Sequence, residues 1–390
     1  MPLRRLRPAT VPAPARVPAL LAALALCALL APTTARAQAR RPMSFEDMMR
    51  LNQVSDAQLS PDGKWVAYVV AHNDMDKDAT LRDIYVVGAT GGEPVRFTAS
   101  GKSDASPRWS PDGKWIAFIS TRGEHPQVYL ISATGGEATP LTDSRSGVNS
   151  FAWSPDGTRI AYVAARAPTA EEEKKQKDKD DAFAVDHDYR YTRIWTIDVA
   201  TKKATEIVSG DFQANNPDWS PDGQWIAFTE APTPRADDGQ LTDLYVVSST
   251  GGTPRKLFSN DGPDNAPRWS PDGKSIAFLT RVGKVATVGQ LQLAIISPDG
   301  GTPRMVAPSF AYQPGPATWS HDGNTLYFEA PVRTTSQLFS VSAQGGTPRQ
   351  LTNVQGVISS ATFSRDDRTA AFVESDAQHP GDVYVAQLGD

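Results

Sequence analysis

The sequence predicts an all-β fold: a seven-bladed β-propeller of four-stranded antiparallel blades, the last one incomplete. Two observations carry this expectation. The first is one phrase that recurs seven times in 390 residues. It reads Leu59-Ser60-Pro61-Asp62-Gly63, Trp109-Ser110-Pro111-Asp112-Gly113 and Trp153-Ser154-Pro155-Asp156-Gly157, and it returns at 219–223 and 269–273. Two worn copies follow, Trp319-Ser320-His321-Asp322-Gly323 and Phe363-Ser364-Arg365-Asp366-Asp367. The serines at 60, 110, 154, 220, 270, 320 and 364 are spaced by 50, 44, 66, 50, 50 and 44 residues. A repeat of roughly 40 to 50 residues with one hairpin per unit marks a propeller. The second observation is the order of strand-like runs and turn signals inside each unit.

The second unit shows that order. Ala105 to Trp109 reads as an inner strand. Pro111 fixes φ at the first corner of a tight turn, Asp112 tolerates the next, and Gly113 accepts a positive φ. Trp115-Ile116-Ala117-Phe118-Ile119 is a continuous apolar run, as a strand covered on both faces requires. Gln127 to Ile131 gives a third strand, Gly135-Gly136 a second turn, and Ala138 to Thr142 an outer strand. The third strand recurs at 83–87, 193–197, 243–247 and 337–341, and Gly-Gly recurs at 91–92, 251–252, 300–301 and 345–346. Pro94, Pro254, Pro303 and Pro348 follow those turns, and proline within a sheet belongs to an edge strand, so the fourth strand is expected on the rim. A β-sandwich of hairpins is the competing architecture, but sandwiches do not repeat one hairpin sequence at a fixed period.

The last unit ends differently. After Asp382-Val383-Tyr384-Val385-Ala386 no fourth strand follows. Either that rim is short or residues before Val54 replace the strand, and the helical look of 44–52 argues against replacement. Ser44-Phe45-Glu46-Asp47 offers a helix cap.

Residues 1–39 read as a signal peptide. Arg4, Arg5, Arg7 and Arg16 form a basic leader, and Ala19 to Ala31 is an apolar run too short to span a bilayer. Small residues around Ala35, Ala37 and Ala39 offer cleavage sites. The expected organisation is therefore a signal at 1–39, a short helix and lead-in at 40–53, and the propeller at 54–390, with an insertion at 167–190 in blade three. Secretion, to a bacterial periplasm, follows. Cys27 is the single cysteine and lies inside the leader, so the mature chain has no disulfide, thiolate metal site or thiol nucleophile. A net charge of −5 and a pI near 5.6 give no electrostatic reason to expect nucleic acid or an anionic membrane. No second apolar stretch approaches a membrane span. No cofactor and no metal is expected, because turn geometry accounts for the repeated aspartates better than calcium does.

Within the insertion, residues 171–181 are almost all charged, with mixed signs, and read as a solvated loop with at most a helical turn. Asp186, His187, Asp188, Tyr189, Arg190 and Tyr191 follow. Aromatic and charged residues on a propeller loop are the candidate binding residues of this chain.

These repeats resemble those of the prolyl oligopeptidase family of serine peptidases and of TolB-type periplasmic proteins. The opening segment Ser44 to Gly63 looks like the start of secreted acylaminoacyl- and dipeptidyl-peptidases. Seven units fit the peptidase branch, whose propeller has seven blades, and TolB-type proteins have six behind a separate α/β domain. The resemblance spans 44–390. It implies a propeller that caps a hydrolase domain and filters peptides by size, the Ser-Asp-His triad lying on the hydrolase. No Gly-x-Ser-x-Gly elbow occurs in the sequence, and His72, His125, His187, His321 and His379 are scattered over separate repeats, so no catalytic residue is assigned. The family's paired glutamates for a substrate N-terminus would fall on Glu171-Glu172-Glu173, but aromatic flanks are missing and lysines adjoin, so the role is not carried over. The expected function is a secreted, non-catalytic, substrate-gating propeller, with a hydrolase domain or protein as partner and peptides as ligands. The alternative is a standalone TolB-like periplasmic propeller that binds a protein or small ligand. A hydrolase with an unrecognised site is the third possibility.

Overall fold

A computed structural model describes residues 3–5, 41–180, 187, 189–281 and 289–388. Five four-stranded antiparallel sheets follow one another along the chain. The first contains Gln53–Leu59, Trp65–Asp74, Ala79–Gly88 and Val95–Arg96, and the second Asp104–Trp109, Trp115–Ser120, Gln127–Ser132 and Thr139–Pro140. The third contains Ser150–Trp153, Arg159–Ala165, Thr192–Asp198 and Ala204–Val208, and the fourth Gln213–Trp219, Trp225–Ala231, Asp243–Ser248 and Arg255–Phe258. The fifth contains Asp264–Trp269, Ile276–Thr280, Gln292–Ile296 and Arg304–Met305. A sixth, eight-stranded sheet joins two groups through one parallel pair, Ser336 with Val357. One group is Thr318–Trp319, Thr325–Val332, Thr335–Ser342 and Arg349–Gln350, and the other is Val357–Phe363, Thr369–Ser375 and Asp382–Gln387.

Each sheet is a blade built in the order the repeat dictates. The Ser-Pro-Asp-Gly turn joins the inner strand to the second. In the second blade Ser110 Oγ donates to Asp112 Oδ1 at 2.6 Å and accepts the Trp115 N–H at 3.0 Å, and Asp112 Oδ1 accepts the Lys114 N–H at 3.1 Å. Gly113 sits at φ 70°, where a side chain is unfavourable. The same serine–aspartate bond recurs at Ser60, Ser154, Ser220, Ser270, Ser320 and Ser364. The aspartates are thus spent on turn geometry.

The second strand of each repeat buries an aromatic ring at one position: Tyr68, Phe118, Tyr162, Phe228, Phe278, Phe328 and Phe372. Most stack on an aromatic of the third strand directly opposite, such as Phe228 on Tyr245 at 5.6 Å and Phe118 on Tyr129 at 6.0 Å. Such a pair adds roughly 0.5–1.5 kcal/mol beyond the area it buries. Apolar clusters fill the seams between consecutive blades: Ala67, Ile84, Ile116 and Phe118 between the first and second, and Ala227, Leu244, Ile276 and Phe278 between the fourth and fifth. The ring closes where Leu59, Val66 and Tyr68 pack on Ala371, Val373, Val383 and Val385. Leu59 N–H donates to Thr362 Oγ1 across that seam at 2.9 Å.

Two expectations change. The rim beyond Asp382–Gln387 is not left bare: Leu3–Arg5 pairs with it, in register Leu3–Ala386, Arg4–Val385 and Arg5–Tyr384. Leu3–Arg5 lies inside the expected leader 1–39, so this strand belongs to the uncleaved chain, and cleavage after the leader would leave the edge of Asp382–Gln387 bare. The helix itself spans Phe45–Met49 and is capped by Ser44, with the Asp47 carboxylate returning a bond to the Ser44 N–H. In the insertion, the charged run forms a helix over Ala170–Lys177 rather than a solvated loop. Its glutamates pair with arginines rather than being neutralised by lysines alone: Glu172 with Arg166 at 2.7 Å and Arg190 at 3.6 Å, and Glu173 with Arg145.

Candidate functional site

The inner strands of the blades surround an axial cavity of about 1320 Å³. What they present to it depends on a local irregularity. Five of these strands shift register by a β-bulge, between Ser55 and Gln58, Ala105 and Arg108, Asn215 and Asp218, Asn265 and Arg268, and Ser359 and Thr362. One residue in each bulge, Asp56, Ser106, Asn216, Ala266 or Ser360, takes a left-handed φ of 51° to 57°. Bulges re-aim the side chains that follow them. Here Gln58, Arg108, Asp218, Arg268 and Thr362 then line the cavity, joined by Ala152 and Thr318.

The tryptophans of the repeat hold this lining in place. The Trp109 indole donates to the Gln58 carbonyl at 2.9 Å, and Trp153 to Arg108 at 3.1 Å. Trp219 donates to Ala152 at 3.2 Å and Trp319 to Arg268 at 2.9 Å. Each indole therefore reaches the preceding blade at the carbonyl of its channel-lining residue. Trp269 breaks the series: its indole nitrogen is buried without a partner among the described residues, and its main-chain N–H donates instead to Asp218 Oδ2 at 2.7 Å.

The channel charges are held in pairs. Arg108 Nη1 lies 2.9 Å from both Asp56 carboxylate oxygens and donates to the Pro107 carbonyl at 2.7 Å. Gln58 Nε2 donates to Asp56 at 2.8 Å. Three blades on, Arg268 donates to Pro267 at 2.8 Å and lies 3.9 Å from Asp218. Burial raises the Asp218 pKa, and Arg268 opposes that rise. Near the turn end, His321 N–H donates to Asp367 Oδ2 at 2.7 Å, and Arg365 Nε donates to His321 Nε2 at 3.3 Å. This surface carries guanidinium donors, carboxylate acceptors and indole rings. Among the described residues no three His, Cys, Asp or Glu side chains converge as a metal site. No helix among them is long and apolar enough to cross a membrane.

The residues singled out in the insertion stand apart from this channel. His187 is exposed. Tyr189 and Tyr191 meet edge to face at 5.8 Å, and Arg190 reaches Glu172. The Tyr191 carbonyl accepts the Arg166 N–H at 3.0 Å. Asp186 and Asp188 lie outside the described residues. The channel residues Asp56, Arg108, Asp218 and Arg268 were not singled out from the sequence. The signal that could have found them is the repeated Pro-Arg-Trp at 107–109 and 267–269.

Comparison with known proteins agrees with this architecture. Residues 49–185 match the family described as "TolB beta propeller domain". A Bacillus subtilis protein called an uncharacterized peptidase, YuxL, is 29% identical over 223 residues, which are 53% of this chain and 34% of that one. The chain thus matches about a third of that relative's length. Among solved structures, the Pyrococcus horikoshii acylaminoacyl peptidase superposes with a TM-score of 0.65 at 18% identity, over 87% of this chain and 52% of that one. The β-propeller domain of the Trilobed protease from Pyrococcus furiosus gives 0.62 at 16% identity, over 87% and 96%. An oligogalacturonate lyase in complex with manganese gives 0.67 at 14% identity, over 87% and 91%. The chain is a β-propeller that carries TolB-type repeats over residues 49–185 and shares its fold with the propeller domains of acylaminoacyl and prolyl peptidases.

Proposed function

We propose that this chain is a secreted propeller of seven blades, with the eight-stranded sheet counted as two, that gates substrate for a prolyl-oligopeptidase-type serine peptidase and does no catalysis itself. The observation that carries the reading is the axial cavity of about 1320 Å³, lined by Arg108, Asp218 and Arg268, with Asp56 paired to Arg108 and Asp218 close to Arg268. That volume exceeds the roughly 300–1,000 Å³ of a common small-molecule pocket and fits a short extended peptide better than a compact metabolite. A hydrolase, as a further domain or a partner chain, would complete the peptidase. The helix Phe45–Met49 supports a docking role: it buries none of its residues, leaves Phe45 and Met48 exposed, and meets the far end of Trp65–Asp74 from the turn, where the Met49 carbonyl accepts the Asn73 amide at 2.9 Å.

The test is a titration of the pure chain with peptides of increasing length, read by calorimetry, together with a peptidase assay. Saturable binding of short peptides, loss of binding for folded proteins, and no hydrolysis support the gate. Hydrolysis blocked by a serine-directed phosphonate would show that the chain carries its own active site. The match of residues 49–185 to the TolB propeller family favours a second reading, a periplasmic propeller that binds a protein partner. Capture of one partner at the loop face with no peptide binding would establish that reading instead.

A further inference from the structure

Neighbouring blades meet at their rims across a cleft on the turn face, and the chain closes some of these clefts with its own arginines. In the fourth blade Arg255 pairs with Val246, and its Nη2 crosses the seam to donate to the Pro298 carbonyl at 2.7 Å. In the fifth, Arg304 pairs with Ile295, and its Nη2 donates to the Ala343 carbonyl at 2.5 Å. Both acceptors sit two residues before a Gly-Gly turn of the next blade. In the first blade the same position, opposite Val86, is Val95. Valine cannot cross the seam. The acceptor at the corresponding place, Ala133, receives no guanidinium from this position.

Two independent features show that this seam gapes. A methyl group on Gly300 would lie 3.2 Å from the Leu257 carbonyl oxygen, and one on Gly345 would lie 3.1 Å from that of Val306, because those turns press on the preceding outer strand. At Gly135, the equivalent turn residue of the second blade, nothing lies within 4 Å. The cavity between the first two blades measures about 750 Å³, against about 290 Å³ between the fourth and fifth. Its wall is apolar: Trp65, Val86, Val95, Phe97, Trp109 and Pro111. Trp65 is 50% exposed and Val95 56% exposed. The carboxylates of Asp62 and Asp112 edge it, each with a lysine 3.1–3.3 Å away, and Arg365 stands at its channel end.

We propose that the cleft between the first and second blades binds an arginine side chain from a peptide segment, with the guanidinium at the Ala133 carbonyl and the methylene stem on the apolar wall. The commitment to arginine comes from the chain itself, which fills two equivalent seams with that side chain. An arginine stem also covers apolar surface while its head stays polar. Arg159, 4.7 Å over the ring of Trp219, shows that indoles in these seams accept a guanidinium. The cleft shares Pro61, Trp109, Pro111, Asp112 and Arg365 with the axial cavity, so a bound segment runs from the rim to the channel mouth. The proposal does not depend on the gating reading.

The test uses the full chain and the capped tripeptide acetyl-Ala-Arg-Val-amide, followed by tryptophan fluorescence and calorimetry. Citrulline in place of arginine keeps the shape and removes the charge, and is expected to weaken binding at least about tenfold, the equivalent of about 1.4 kcal/mol. Val95→Arg should abolish binding by filling the cleft with its own guanidinium, and Val95→Ser, which leaves the cleft open, should retain it. Val95 is at the surface, so both variants are expected to fold, and unchanged circular dichroism would confirm it. Absence of saturable binding at millimolar peptide, equal affinity for the citrulline peptide, or undiminished binding by Val95→Arg would overturn the proposal.

Discussion

Trp319 and Trp269 occupy the same place in successive repeats and do different work. The Trp319 indole donates to the Arg268 carbonyl, whereas the Trp269 indole nitrogen is buried with no partner among the described residues. Losing a made hydrogen bond and orphaning its buried acceptor costs about 1–2 kcal/mol more than losing one never made. Trp319→Phe is therefore expected to lower the urea midpoint clearly more than Trp269→Phe, and equal effects would assign the indole bonds no role in stability. Asp104 and Asp264 form a second such pair. Among the described residues each leaves one buried carboxylate oxygen without a partner, but Asp104 has the Arg122 guanidinium at 3.0 Å whereas Asp264 has the neutral Asn260 amide at 3.1 Å. Burial pushes the Asp264 carboxyl up to about 7. A carboxyl raised on folding favours the fold when protonated, so its contribution is full below about pH 4 and is lost as the pH rises through about 7. Asp264→Asn should flatten the fall in stability between about pH 4 and 7, gaining on the order of 3 kcal/mol at the upper end. An unchanged slope in denaturant titrations across that range would refute the assignment.

The Ser-Pro-Asp-Gly turn is the element most fully legible in the sequence, because all its interactions lie within six residues. Proline, aspartate and glycine each state a backbone requirement, and the structure meets each one. The apolar third strands were equally readable. The bulges were not: Ser106-Pro107 and Ala266-Pro267 look like ordinary strand residues, and their left-handed φ values are imposed by pairing with the second strand. The helix Ala170–Lys177 is longer than the single turn the charged run suggests, and the partners of its glutamates, Arg145, Arg166 and Arg190, lie outside that run. The turn also predicts behaviour in acid. Hydroxyl and main-chain bonds hold the repeated aspartates below the usual carboxylate range, Asp112 at about 2 with Ser110 as the largest cause. Carboxyls lowered on folding support the fold above about pH 4 and withdraw that support as the pH falls toward 2. Ser110→Ala removes the hydroxyl that binds both Asp112 and the Trp115 N–H. It is expected to cost about 1–2 kcal/mol at pH 6 and less at pH 2, and a cost that does not shrink in acid would contradict this account of the turn.

At the scale of the whole molecule, the repeat period announced a ring, but the way the ring closes was not visible in it. Closure depends on Leu59 and Thr362, about 300 residues apart, and on Val66 and Tyr68 meeting Val373 and Val385. No local pattern marks those partners. Leu3–Arg5, from the expected leader, pairs in the uncleaved chain with the rim at the other end, and no local pattern marks that partner either. The candidate site follows the same logic. Asp186–Tyr191 is legible as a loop rich in charge and aromatics, whereas the channel lining comes from one residue per repeat, aligned by bulges and fixed by indoles from the next repeat, and no contiguous stretch of sequence displays it. Ala152, at the lining position of the third blade, offers a way to narrow that channel: Ala152→Arg should weaken peptide binding by about tenfold or more and leave the circular dichroism unchanged, and undiminished affinity would place peptides elsewhere. The most direct test of the account is hydrogen–deuterium exchange of the full chain with and without a saturating short peptide. The account predicts added protection on the inner strands around the axis, at 53–59, 104–109, 213–219 and 264–269 together. Protection confined to the loops or the outer strands, with the inner strands unchanged, would contradict it.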